Sequence, residues 1–257
     1  MMPAVSVVLP AYNAAGHIAG TVTALTTFFD ARGWAGEVIV ADDGSTDGTA
    51  EAVPAHASVQ VVRAPRNRGK GSAVRAGMQH ATGAVRVFTD ADLPYGVEPI
   101  VVARRAIEER GFHAVVGDRT LPGSSYQHEG PSRRVASEIA SFAFRTLVTG
   151  GIYDTQCGFK AFRGDVADEL FRIARIDGFA LDVELIYLLL KYRLDIKRIP
   201  VRLRFNAGSS VRVVRDSTRA ARDVLAMRAS WARGRYRSAS LASILEREVA
   251  LLEADEA

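Results

Sequence analysis

Five short apolar runs rich in β-branched residues, Val5 to Leu9, Glu37 to Ala41, Val59 to Val62, Val85 to Thr89 and Ala114 to Val116, alternate with segments long enough for a helix. Runs of this length without polar alternation are strands buried on both faces. The segments between them, His17 to Phe29, Gly48 to Ala57, Gly71 to Ala81 and Val97 to Arg110, supply the crossovers. A strand–helix–strand repeat of this kind packs as a mainly parallel sheet with helices on both faces. The expectation is a doubly wound α/β fold. Beyond Asp118 the pattern changes to a polar loop reaching Pro131, a helix Ser132 to Val148 and a Gly-rich turn. A strand near Phe159 to Phe162, a helix Asp182 to Tyr192 and a strand Ile196 to Leu203 then lead into a basic helix at about 212–233.

The 257 residues are enough for one large domain, expected over 1–237, followed by a helical tail over 238–257 whose Ala/Glu/Leu-rich part from Leu241 reads as detachable. A single cysteine, Cys157, excludes an internal disulfide framework and zinc-ligand spacing, and fits a reducing compartment. The opening residues lack a basic export signal, and no stretch reaches the length of a spanning helix. A cytoplasmic protein is expected. Its charge is uneven: between Arg193 and Arg237 twelve Arg and one Lys face three Asp, a local balance of +10 within a chain of net +4. In that stretch Arg212, Arg215, Arg219 and Arg222 share one helical face, opposite Val213, Val214, Ala220, Ala221 and Val224. Such a face is either a solvated side of a packed helix or a contact for anionic lipid headgroups. Nucleic acid is disfavoured, because only Trp231 and Tyr236 are interleaved with the arginines as stacking platforms.

In doubly wound sheets ligands gather at the carboxyl ends of the strands. Four polar segments fall there or nearby: Pro10-Ala11-Tyr12-Asn13, Asp42-Asp43-Gly44-Ser45-Thr46-Asp47-Gly48-Thr49, Asn67-Arg68-Gly69-Lys70-Gly71 and Asp90-Ala91-Asp92. Two carboxylates one residue apart at a strand end either cap a turn or hold a hard divalent cation; here the strand edge favours the metal. A strand-to-helix turn needs only one of Asp42 and Asp43, which leaves the other to accept hydrogen bonds from a base or ribose. The glycines flanking Lys70 suit a phosphate cradle, although the spacing is not that of a Walker A loop. Cys157 reads as a core thiol.

In this order the segments resemble the family 2 inverting glycosyltransferases of the GT-A fold, specifically the polyprenyl-phosphate (dolichyl-phosphate) hexose synthases, from Val5 to about Arg228. Asp154-Thr155-Gln156-Cys157-Gly158-Phe159-Lys160, with Phe179 and Asp182-Val183-Glu184, looks most like the dolichyl-phosphate glucosyltransferase branch, with mannosyl-phosphate synthases next. The resemblance implies transfer of a hexose from UDP-glucose or a similar donor, or from GDP-mannose, to polyprenyl phosphate at the inner face of a membrane. It implies Mg²⁺ or Mn²⁺ on Asp90 and Asp92. It also places Pro10, Tyr12, Asn13, Asp42, Gly44, Lys70, Gly71, Asp90 and Ala91 around the nucleotide sugar, makes Asp92 catalytic through the metal, and has Arg119 and Arg133 or Arg134 face phosphate groups. Ala14 stands where relatives commonly carry Glu, and Gly208-Ser209-Ser210 lacks the Lys of their Gly-Ser-Lys. A phosphate acceptor needs no strong base at neutral pH, since its second pKa is about 6. A hydroxyl acceptor on a glycan or small molecule needs one, and Asp182 is then the candidate.

Overall fold

The computed structural model describes residues 3–124, 154–155, 157–203 and 213–255. The elements are β1 (Val5–Ala11), α1 (Ile18–Arg32), β2 (Gly36–Asp42), β3 (Val59–Arg63), α2 (Lys70–His80), β4 (Val85–Phe88), α3 (Glu98–Glu108) and β5 (Ala114–Asp118). They continue as β6 (Lys160–Arg163), α4 (Gly164–Ile173), α5 (Leu181–Lys191), β7 (Ile196–Pro200), α6 (Val213–Ala232), α7 (Ala239–Ala242) and α8 (Ile244–Asp255). The seven strands form one sheet in the order β3-β2-β1-β4-β6-β5-β7. Strands β3, β2, β1 and β4 are parallel neighbours, as are β5 and β7, while β6 runs antiparallel between β4 and β5.

Alternation along each strand divides the core between the two faces of the sheet. Val7, Leu9, Val38 and Val40 pack with Ile18, Val22 and Leu25 of α1 and Ile100 and Ile107 of α3. Val8, Ile39 and Phe88 point the other way, onto Val74 and Met78 of α2, Leu170 and Phe171 of α4 and Leu185 and Leu188 of α5. Helices therefore cover both faces of a mainly parallel sheet, as expected.

Three local expectations change. The segment from Gly48 to Ala57 forms turns, not a crossover helix. Asp47 Oδ1 accepts from the Thr49 amide at 3.0 Å, and Thr49 Oγ1 accepts from the Ala14 amide at 2.7 Å, so these side chains bind the loop after β1. Pro54, lacking an N–H, closes off any continuation. Helix α4 is an addition, unassigned from sequence although Val166, Ala167, Leu170 and Phe171 recur on one face and are buried. The tail from Leu241 is anchored: Leu241 and Ile244 are buried, and Glu248 meets both Arg163 and the buried His113. The expected helix over Ser132 to Val148 lies outside the described residues.

Candidate active site

The loops after β1 and β2 are stitched to each other by their own polar side chains. Asn13, at φ 52°, donates its amide to Ser45 Oγ at 2.9 Å and accepts from the Thr46 amide through Oδ1 at 3.0 Å. Asp47 Oδ2 accepts from the Ala15 amide at 3.0 Å. Ala14 itself is buried against Ile18 and Leu9 in the apolar core.

The two adjacent aspartates divide the work. Asp43 accepts the amides of Arg68 at 3.0 Å and Gly69 at 2.7 Å, tying the loop before α2 to the end of β2. Burial pushes its carboxyl above the ordinary value, with those amides pulling back. Asp42 caps the turn with Oδ1, which accepts from the Ser45 amide at 2.9 Å. Its Oδ2 is buried with no hydrogen-bond partner; Arg63 Nε lies 3.3 Å away but is not aligned to donate. Asp42 lines a groove of about 820 Å³ together with Arg63, Arg66, Arg68 and Asp177. A dehydrated acceptor left open in a basic groove calls for a donor from a ligand. Pro10 and the half-exposed Tyr12 stand at the neighbouring strand end.

The glycines flanking Lys70, with Gly44 nearby, let backbone segments approach closely. A Cβ on Gly44 would lie 2.5 Å from the Arg66 carbonyl carbon, on Gly69 2.5 Å from the Asp177 oxygen, and on Gly71 2.6 Å from the Ile176 oxygen. Two of the first amides of α2 and its approach are taken by Asp43, and that of Ser72 by the Asp177 carbonyl at 3.1 Å as well as by Gly69. The backbone that approaches Gly69 and Gly71 is that of the loop between α4 and α5.

Lys70 reaches across to β4. Its ammonium donates to Asp90 Oδ1. Burial alone would lower the pKa of this lysine, but the charges of Asp90 and Asp182 outweigh it and hold the pKa above the ordinary value. Asp90, Ala91 and Asp92 leave β4 in a turn secured by the Leu93 amide on the Asp90 carbonyl, 2.9 Å, and by Thr21 Oγ1 on the Ala91 carbonyl, 2.7 Å. Burial, then the like charge of Asp90, raises the Asp92 carboxyl. A second lysine lies beneath. Lys160 of β6 is fully buried, with Nζ donating to the Cys157 carbonyl at 2.8 Å and to Asp182 Oδ1 at 2.5 Å. Gly158 permits the close approach, since a Cβ there would fall 1.9 Å from Asp90 Oδ2. No signal within the segment marks Gly158 as the neighbour of Asp90 or Lys160 as the partner of Asp182; only the folded chain brings them together.

Among the described residues no three His, Cys, Asp or Glu side chains converge as a complete metal cage. Two half-exposed carboxylates whose charges repel still fit a hard cation that takes its remaining ligands from a diphosphate and water, the usual coordination of Mg²⁺. Arg119 is paired with Asp154. Its Nε and Nη2 form a fork on Asp154, each at 2.8 Å, and its amide adds a third bond at 2.9 Å. Burial would raise the Asp154 carboxyl, but these bonds and the Arg119 charge hold it below its ordinary value. Arg133, Arg134 and Arg212 lie outside the described residues. Cys157 is fully buried, and burial pushes its thiol up to about 11. Trp231 packs edge-on against Tyr187 and Tyr192, and Tyr236 is buried, so neither offers a face for stacking bases.

Known proteins resemble this chain both in sequence and in fold. The model of Glycosyl transferase family 2 matches residues 6–171. The dolichyl-phosphate beta-glucosyltransferase of Saccharomyces cerevisiae is 30% identical over 254 residues, covering 90% of this chain and 76% of that protein. The Drosophila melanogaster enzyme of the same name is 29% identical over 253 residues, with 92% and 78% covered. Among solved structures, mannosyl-3-phosphoglycerate synthase from Rubrobacter xylanophilus superposes with a TM-score of 0.67 at 19% identity, covering 92% of this chain and 77% of that one. Glucosyl-3-phosphoglycerate synthase from Mycobacterium tuberculosis, solved with Mn²⁺, UDP and glucosyl-3-phosphoglycerate, gives 0.65 at 21% identity, with 88% and 80% covered. These two share the GT-A fold with it. By its family match and its curated relatives, this chain belongs to glycosyl transferase family 2 and is a glycosyltransferase.

Proposed function

We propose that this enzyme transfers a hexose from a nucleotide sugar, UDP-glucose first among the candidates and GDP-mannose second, to polyprenyl phosphate, with Mg²⁺ or Mn²⁺ held by Asp90 and Asp92. The observation that carries the donor site is the Asp42 Oδ2 left without a hydrogen-bond donor beside its groove, with the Asp90–Lys70 pair at the end of β4, two strands away in the same sheet. In the reaction an acceptor oxygen bonds to the anomeric carbon while the bond to the diphosphate oxygen breaks, and the pair of electrons leaves with the nucleoside diphosphate. The bound cation supplies Lewis acidity toward that leaving charge. Lys70 adds a fixed ammonium from a low-dielectric setting, where its attraction for developing negative charge is stronger than in water. Asp182 has Oδ1 committed to buried Lys160, an arrangement that suits holding charge in place more than accepting a proton. This supports an acceptor that arrives already ionised, a phosphate. Incubating the pure protein with each sugar nucleotide and polyprenyl phosphate, with and without EDTA, should yield a sugar-linked lipid only with metal present. Transfer to a hydroxyl acceptor with none to the lipid would favour the other reading.

The basic helix supports contact with the membrane that holds such an acceptor. Val224, Met227 and Trp231 of α6 pack on the core, while Arg222 and Leu225 are exposed. Among the described residues no helix is long and apolar enough to cross a bilayer. Each Arg near an anionic surface contributes about 1 kcal/mol, so the four arginines that share one face by helical spacing, of which only Arg222 has a described side chain, would give weak attachment that salt screens. Cosedimentation should therefore depend on anionic lipid, weaken at high salt and fall when Arg212, Arg215, Arg219 and Arg222 are changed to Gln. Indifference to all three would leave α6 as a solvated face.

A further inference from the structure

The segment that follows α6 is tied to the loop before α5 through one buried carboxylate. Glu184, in the first turn of α5, is fully buried. Its Oε1 accepts the Arg175 amide at 2.9 Å and its Oε2 the Ile176 amide at 3.0 Å, and the Tyr236 hydroxyl donates to Oε1 as well. Tyr236 is held in turn: its carbonyl accepts from the Tyr192 hydroxyl at 2.6 Å, and that hydroxyl accepts from the Ser238 amide at 2.8 Å. A dehydrated carboxylate is tolerated where donors are fixed toward it, and three are.

The amides that Glu184 grips belong to the loop joining α4 to α5, whose opposite side is packed on the start of α2. The carbonyls of Ile176, Asp177 and Gly178 lie where the Cβ atoms of Gly69 and Gly71 would be. Arg75 donates to the Ile176 carbonyl at 3.2 Å and pairs with the Asp177 carboxylate, and the Ser72 amide meets the Asp177 carbonyl. Lys70 stands between those two glycines, and Arg68 and Asp177 line the groove beside Asp42.

We propose that Glu184 and Tyr236 are positioning residues for the donor: through residues 175–178 they hold the first turn of α2, and with it Lys70 and the groove wall, in the place the nucleoside diphosphate requires. Both side chains are themselves buried. The inference rests on the nucleotide-sugar reading. It also gives the segment after α6 a part in binding that its distance along the chain conceals.

Calorimetric titration of the full chain with UDP and with GDP, beside hydrogen exchange of the free protein, tests this. Tyr236→Phe removes one donor, and Glu184→Gln places an NH₂ group against an amide or the hydroxyl. Both should weaken nucleotide binding by about 3- to 30-fold, the range of couplings carried through packed networks, with Glu184→Gln the larger. Exchange should quicken at residues 175–178 and 68–72 while β1 stays protected, and donor KM should rise with acceptor KM unchanged. Should Glu184→Gln fail to fold, Arg75→Met opens the same junction from the α2 side and should give the same pattern. Faster exchange at 175–178 with wild-type nucleotide affinity would overturn the proposal, since the clamp would then serve stability alone. A folded wild type that binds neither UDP nor GDP would instead overturn the nucleotide reading beneath it.

Discussion

Replacing Asp92 by Asn should abolish metal-dependent transfer while leaving the protein at least as stable as before. Electrostatic groups that act on developing charge typically contribute 10²- to 10³-fold each, so a loss of about that size or more is expected in turnover. The stability side follows from the shift on Asp92. Burial and the neighbouring Asp90 charge raise its carboxyl above 3.8 in the folded state. A carboxyl raised by folding binds its proton more tightly in the native protein, so its contribution to stability falls as pH rises from the unfolded value through the folded one. At neutral pH the ionised Asp92 therefore opposes folding, and Asn relieves that opposition. Thermal denaturation at neutral pH should show a melting temperature equal to or above that of the wild type, beside turnover at background. A variant with undiminished activity and the same response to Mg²⁺ or Mn²⁺ would remove Asp92 from the metal site.

Gly158→Ala should damage activity without deleting any functional group. The added methyl would fall 1.9 Å from Asp90 Oδ2 and 2.7 Å from its Cγ, distances no Cβ can occupy, so the carboxylate must swing away. Asp90 is the partner of Lys70 and one half of the acidic pair, and its side chain is partly exposed, so it can move at modest cost to the fold. Misplacing a reacting group by about 1 Å costs on the order of 10²-fold in rate. The expected result is a folded protein with a near-normal melting temperature, turnover reduced by about that factor, and weakened Mn²⁺ binding by titration. Normal turnover and normal Mn²⁺ binding would mean that the placement of Asp90 on Gly158 is not used in catalysis.

Much of this site is legible in the amino-acid sequence alone. The strands β1, β2 and β4 announce themselves as apolar runs, and parallel topology sends their carboxyl ends to one edge, so Pro10, Asp42 and Asp90 can be gathered from order alone. The amphipathic signal of α4 is also present, in Val166, Ala167, Leu170 and Phe171. These are local properties of the chain: hydrophobic period, strand length and the polar residues that follow.

What the tertiary structure decided is which partner each of those residues meets. Asp42 and Asp43 are adjacent and chemically identical, yet one keeps an oxygen with no hydrogen-bond donor while the other accepts the Arg68 and Gly69 amides 25 and 26 residues away. The Gly69 and Gly71 that suggest a phosphate cradle make room for the loop at Ile176 to Gly178. Arg119 forks onto Asp154, 35 residues on, and a tail that reads as detachable is held to the sheet through the Glu248 contacts. Periodicity reports only neighbours within a few residues along the chain. A hydrogen bond or a close backbone contact acts over about 3 Å through space, and only the folded sheet, with its antiparallel β6 inserted between β4 and β5, brings residues so distant in sequence within that reach.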